Sequence, residues 1–175
     1  MLIIFSGLPG TGKTSIARAL ASDLQAVYLR VDTIEKVMLS CQAIKTRDDI
    51  GPAGYDTARA VALDNLRLGR WVILDSVNSV SLSRENYHET ARDADVSWLD
   101  VWVVCSDKEE HRQRVEQRKG NSPDIQLPDW QAVKNREFEP WSDRQSENLL
   151  QVDTARHSPG ECIAQIKAQL RSRAG

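Results

Sequence analysis

The run Gly7-Leu8-Pro9-Gly10-Thr11-Gly12-Lys13-Thr14 fits the pattern G-x-x-x-x-G-K-[ST] at every position. Glycines at this spacing let successive backbone N–H groups turn inward around a phosphate, and a helix opening at the lysine adds its positive end. On this reading Gly7, Pro9, Gly10, Thr11, Gly12 and Ser15 contact a nucleotide. Lys13 reaches its β- and γ-phosphates, and the Thr14 hydroxyl ligates Mg²⁺.

Two carboxylates stand where such a site could use them. Asp32 follows the apolar run Val27-Tyr28-Leu29-Arg30-Val31, and a carboxylate at that strand tip can accept the proton of an attacking hydroxyl. The alternative is a helix N-cap, a duty Asp32 could share with Thr33. Asp75 closes Trp71-Val72-Ile73-Leu74, the apolar-strand-then-Asp pattern that holds Mg²⁺. It could equally be a turn residue, as could Ser76 and Asn78, which otherwise contact substrate.

Arg114 and Arg118 are four apart and share a helix face. Arginines over a nucleotide neutralise a transferring phosphoryl group, so Arg118 joins Lys13 and Asp32 as a candidate catalytic residue. Against this stands a solvated helix paired through Glu110 and Glu116. Trp130 and Trp141 line a substrate site or the core. His88, His111 and His157 lack metal-ligand spacing and read as surface residues. Glu137, Glu139 and Pro140 receive no role.

These residues must be positioned by short apolar runs alternating with helical patterns. Strands are expected at 2–6, 27–31, 71–74, 98–105 and 149–152. Helices are expected at 13–24, from Thr33, at 58–68 closed by Gly69, at 81–94, at 107–118 capped by Asp107, at 130–138 and at 159–170. The stretches 46–55 and 120–128, rich in Gly and Pro, read as loops. Strands alternating with helices make a parallel sheet covered on both faces, with ligands beyond the carboxyl ends of the strands.

The chain has 175 residues, 41% hydrophobic and 27% charged, with net charge -2. That is one globular domain over 1–175, with a lid at about 112–130 and a substrate-binding segment at about 33–60. The acidic balance disfavours bulk nucleic acid or anionic membrane as partner, while leaving room for a local basic pocket. Cys41, Cys105 and Cys162 are well separated, and the short apolar start lacks the features of a leader or span, so a cytoplasmic location is expected. A GTPase would show N-K-x-D and D-x-x-G; Asp75-Ser76-Val77-Asn78 and Asp153-Thr154-Ala155-Arg156 both lack the glycine.

The order of Gly7 to Thr14, Asp32, Asp75 with Asn78, Arg114 with Arg118, and Asp153-Thr154 resembles the small P-loop kinases of the adenylate-kinase-like group. That group includes chloramphenicol phosphotransferase, zeta-toxin-type and polynucleotide-kinase-like enzymes, bacterial "AAA-family ATPase" proteins and adenylylsulfate-kinase-like proteins. The resemblance spans almost the whole chain. It implies a P-loop NTPase fold, a three-layer α/β/α arrangement with a five-stranded parallel sheet of order 2-3-1-4-5. It also implies that Arg114 stacks on adenine, that Arg118 touches phosphate and that Thr154 to Pro159 border the adenine ring. The segment from Lys36 to Tyr55 departs from the group in lacking a nucleoside-monophosphate signature. The expected activity is transfer of the γ-phosphate of Mg·ATP to a hydroxyl of a small molecule. A nucleic-acid 5′-hydroxyl kinase and a non-catalytic ATP-binding regulator are the alternatives.

Overall fold

The structure is a computed structural model that describes residues 1–41, 46–120, 127–142 and 147–173. In chain order the elements begin with β1 (Leu2–Ser6), α1 (Lys13–Leu24), β2 (Val27–Arg30), α2 (Val31–Leu39), α3 (Arg47–Ile50) and α4 (Ala53–Arg67). They continue with β3 (Val72–Asp75), α5 (Ser81–Asp93), β4 (Trp98–Val104), α6 (Lys108–Gly120), α7 (Trp130–Asn135), β5 (Leu149–Asp153) and α8 (Pro159–Arg173). The five strands form one parallel sheet in the order β2-β3-β1-β4-β5, as expected.

The period-2 alternation of a strand explains how one apolar run serves two layers. In β1, Ile3 and Phe5 point to one face and pack with Ile16, Leu20, Val101 and Ile166, which brings α1 and α8 onto that side. Leu2 and Ile4 point to the other face and pack with Ala58, Ala62, Tyr87 and Ala91 from α4 and α5. All five residues of β1 are buried, as are the four of β3, so the strand feeding the glycine-rich turn is enclosed along its whole length.

Several local expectations change. The second helix does not wait for a cap at Thr33: β2 ends at Arg30, which is itself the N-cap, and α2 starts at Val31. Asp32 therefore lies in the first helical turn, where the helix dipole favours a carboxylate, and is not the cap. The stretch 46–55 is not a plain loop. It holds α3 and the first turn of α4, whose N-cap is Pro52. Gly54 reads as a breaker in sequence, yet it lets α4 pass close to α2, since a Cβ there would sit 2.7 Å from Cγ of Glu35. The α4 C-terminus ends as expected on Gly69, with Gly69 N–H on the Leu66 carbonyl and Arg70 N–H on that of Asn65. Asp107 caps α6 by accepting from the N–H groups of Glu109 and Glu110. Helix α7 stops at Asn135, short of Phe138.

His88 and His111 are buried rather than on the surface. His88 Nε2 lies 2.8 Å from the fully buried Asp100 carboxylate of β4 and its ring stacks on Trp98. Burial pushes the Asp100 carboxyl above its usual range, which the histidine bond opposes. Among the described residues no helix is long and apolar enough to cross a membrane.

Candidate active site

The glycine-rich turn leaves β1 at its carboxyl end and delivers the chain to α1 at Lys13. Two of its glycines are forced by space as well as by torsion. Gly7 (φ 151) sits so close to β4 that a Cβ would lie 2.4 Å from the Val103 carbonyl oxygen. At Gly10 (φ 89) a Cβ would meet Val115 of α6 at 2.5 Å. The turn is gripped from outside. Gly7 N–H donates to the Val77 carbonyl, and the Thr11 hydroxyl donates to that of Leu8. The Thr154 hydroxyl donates to the Thr11 carbonyl at 2.8 Å. His111 Nε2 lies 2.8 Å from the Pro9 carbonyl oxygen, and because a carbonyl only accepts, Nε2 carries the proton. Trp130 packs edge-on against this imidazole instead of reaching the cleft. Nothing in the spacing of His111 announces this buttressing role. Only the return of α6 over the turn creates it.

Lys13 is buried at the start of α1, 7% exposed. Burial lowers its pKa, the carboxylates of Asp75 and Asp32 oppose that, and the nearby charges of Arg118 and Arg30 add to it. Three candidate residues and Arg30, from four different elements, thus act on one ammonium group. Asp75 ends β3 and is 1% exposed. The Tyr28 phenol on the neighbouring β2 donates to its Oδ2 at 2.7 Å, and Arg30 Nε stands 3.8 Å from the same oxygen. Arg30 also donates to Asp32 Oδ2 at 2.8 Å, linking the two candidate carboxylates through one guanidinium. The register explains the meeting: Arg30 pairs with Asp75, so Tyr28, Arg30 and Asp75 project from the same face of the sheet. Burial first, then the Asp75 charge and hydrogen bond, push the Tyr28 phenol upward, so it stays a donor.

Replacing Tyr28 with phenylalanine removes a charge-assisted bond from a buried carboxylate. The expected loss of folding stability is about 1–3 kcal/mol, read by urea unfolding. An unchanged midpoint would show that Asp75 is equally well held without the phenol.

A cleft of about 870 Å³ opens in front of Lys13, bordered by Gly10, Gly12, Thr14, Asp32, Arg118 and Thr154 among others. Loop backbone at Gly10 and Gly12, the Lys13 ammonium and the Thr14 hydroxyl in the cleft lining, with the Asp75 carboxylate close behind, are the kinds of group a magnesium–triphosphate needs, so these residues fit the expected nucleotide and metal. Pro9 and Ser15 also line the cleft, while Gly7, Thr11 and Asp75 stand behind its surface. Arg114 is held by Thr154, donating to its hydroxyl at 2.7 Å and its carbonyl at 3.1 Å, and by Glu110 at 2.6 Å. Arg118 is half-buried. Asn78 is not brought to the cleft. It is buried at positive φ, its Nδ2 donates to Ser6 Oγ, and its Oδ1 accepts from Ser83. Its neighbours Ser76 and Val77 line the cleft instead. Sequence reasoning passed over Arg18, Arg30, Lys36, Tyr55 and Arg136, which also border it. The expected lid over 112–130 and substrate segment over 33–60 each include positions outside the described residues, 121–126 and 42–45.

Trp141, the other candidate for a substrate wall, packs against Arg84. The guanidinium carbon lies 4.4 Å from the Trp141 ring centre and 5.7 Å from that of Phe138. Arg84 donates to the carbonyls of Glu139 and Pro140 at 3.1 and 3.0 Å. The unassigned Glu139 accepts from Ser81 N–H at 2.6 Å, capping the start of α5. The segment 138–141 is therefore a strap over α5, with Trp102 of β4 stacked on Phe138 beneath it.

A parallel sheet of this order, with a glycine-rich turn joining its central strand to a helix, defines a P-loop nucleotide-binding α/β protein, and the fold is that of the small P-loop kinases. The chain belongs to the AAA domain family, which it matches over residues 2–140. A candidate kinase from Chloroflexus aurantiacus J-10-fl shares the fold with a TM-score of 0.78 at 24% identity, over 98% of this chain and 96% of that one. A gluconokinase from Sinorhizobium meliloti 1021 gives 0.66 at 18% identity, over 98% and 92%. The Mycobacterium tuberculosis APS kinase CysC, solved with AMPPNP and APS, gives 0.68 at 18% identity, over 97% and 96%. No curated protein matches the chain by sequence.

Proposed function

We propose that this protein is a phosphotransferase that moves the γ-phosphate of Mg·ATP to a hydroxyl of a small molecule. The observation that carries this reading is that Lys13, Asp32 and Arg118 line one cleft, with the Asp75 carboxylate close behind it and acting on the same buried lysine. A protein that merely holds ATP needs the glycine-rich turn and the lysine. It has little use for a second carboxylate on the acceptor side.

Bound Mg·ATP supplies the phosphoryl group and a metal that neutralises charge on its oxygens. The protein supplies the rest. The turn holds the phosphates by backbone N–H groups, and Lys13 and Arg118 place positive charge at the transferring group. Thr14 and Asp75 would hold the metal, with Tyr28 fixing the orientation of Asp75. The acceptor oxygen forms its bond to phosphorus as the bond to ADP breaks, and the hydroxyl proton passes to Asp32. Arg114 and Thr154 border the base of the nucleotide. The three separated cysteines, unpaired in the fold, suit a cytoplasmic location.

The test is ADP release from purified protein with Mg·ATP across a panel of hydroxylated metabolites, nucleosides and antibiotics. Asp32→Asn is expected to bind ATP normally and to lose acceptor-stimulated turnover by about a hundredfold or more. ATP binding without stimulation by any acceptor, and no effect of Asp32→Asn, would instead favour a nucleotide-binding regulator.

A further inference from the structure

The cleft wall is more cationic than nucleotide binding requires. Among its lining residues are seven cations, Lys13, Arg18, Arg30, Lys36, Arg114, Arg118 and Arg136, against two carboxylates, Asp32 and Glu35. The whole chain carries a net charge of -2, so this concentration is local and not a reflection of composition. Four of the cations already have employment. On the proposed function Lys13 and Arg118 serve the phosphates, while Arg30 is paired with Asp32 and Arg114 with Glu110. That leaves Arg18, Lys36 and Arg136, offset only by Glu35. All three side chains are exposed, and none makes an ion pair among the described residues.

Arg18 and Lys36 stand on the side of the cleft that holds Tyr28 and Asp32. Arg18 lies on α1 near enough to Tyr28 for its charge to act on the phenol that holds Asp75. Lys36 is four residues after Asp32 on α2, hence on the same helix face as the candidate base. We infer that the phosphate acceptor is a small alcohol carrying its own oxyanion, a carboxylate or a phosphate or sulfate ester, held by Arg18 and Lys36 while its hydroxyl faces Asp32. An arginine fork and a mobile ammonium lining one cleft are suited to such groups, because the fork meets two oxygens at once and the ammonium follows the charge. The anion also neutralises repulsion along a wall that otherwise holds several like charges. This assignment rests on the kinase reading and narrows it.

The test uses the full-length protein saturated with Mg·AMPPNP, so that the phosphate loop is filled, titrated calorimetrically with sulfate and with orthophosphate. The loaded protein is expected to bind one anion. Arg18→Ala with Lys36→Ala, which removes both charge-assisted contacts, is expected to weaken it by at least about tenfold, the scale for losing even one of them. Both side chains are exposed, and unchanged thermal unfolding of the double variant shows that the fold is kept. ADP release is then compared for glycerol, glycerate and glycerol 3-phosphate. Stimulation by glycerate or by glycerol 3-phosphate, but not by glycerol, supports the inference and separates a carboxylate from a phosphate source. Absence of anion binding to the loaded protein overturns it, as does binding that the double variant leaves intact. Stimulation by glycerol equal to that by its charged partners, or phosphorylation confined to an oligonucleotide 5′ end, also overturns it while leaving phosphoryl transfer standing. Failure of Mg·AMPPNP to bind at all would bring down the kinase reading itself, a separate result.

Discussion

Lys13→Ala is expected to lower acceptor-stimulated kcat/KM by about a thousandfold, close to 4 kcal/mol of transition-state stabilisation. The ammonium is buried at the mouth of the cleft, where a charge acts with little screening, and its neighbours are the two candidate carboxylates and Arg118. The fold should survive. The turn around Lys13 is held by the Thr154 bond to Thr11, the His111 bond to Pro9 and the steric fit of Gly7 against β4, none of which uses the lysine side chain. Alanine is also the best helix former for the first position of α1. Asp75 keeps the Tyr28 phenol and Arg30 as partners, so the carboxylate is not abandoned. Lys13→Arg should rescue little, because a planar fork cannot occupy a slot shaped for a compact ammonium. Steady-state kinetics together with nucleotide titration check this. Wild-type turnover in Lys13→Ala would exclude the glycine-rich turn as the catalytic phosphate site.

Arg84→Ala is expected to cost about 3–5 kcal/mol of folding stability, the scale for emptying a large buried site and orphaning its partners. Arg84 is fully buried, and its guanidinium donates to the carbonyls of Glu139 and Pro140 while lying against Trp141. Alanine would leave a cavity between those rings and two carbonyls without donors. The strap 138–141 would then lose its anchor, and with it the carboxylate of Glu139 that caps α5 at Ser81. Arg84→Lys should fall between the two, since one ammonium cannot stack and span both carbonyls. Arg84 does not line the cleft, so the folded fraction should keep its kcat/KM. Urea unfolding followed by Trp fluorescence measures the first effect and kinetics below the transition the second. A loss of activity without loss of stability would mean that the strap belongs to the active site.

How much of this was legible in sequence differs from element to element. The strand at Leu2–Ser6, the turn at Gly7–Thr14 and the helix after it are local patterns, each carried by adjacent residues. The cap at Asp107 and the stop at Gly69 are local too. The start of α2 was displaced because β2 passes into helix without a loop. The start of α4 was missed because Pro52 and Gly54 signal a break by type, while their effect here is an N-cap and a close helix crossing. The two buried histidines were misplaced because a lone histidine on a polar helix has the same pattern whether it faces water or a carbonyl oxygen.

The sequence by itself determined the parallel sheet, the phosphate loop and the strand-end position of Asp75, since hydrophobic period, glycine spacing and strand length are properties of contiguous residues, whereas Asp32 proved to lie in the first turn of α2. Only the tertiary structure decided which side chains meet. Register set Arg30 opposite Asp75 and brought Tyr28 onto the same carboxylate. The return of α6 and β5 placed His111 and Thr154 behind the glycine-rich turn. Helices α1 and α2, packed on opposite faces of the sheet, bring Arg18 and Lys36 to the lining of one cleft. Separations such as 40 residues from Arg114 to Thr154 carry no local periodicity. They are fixed by the packing of whole helices on a twisted sheet, and that packing is where the chemistry of this site is assembled.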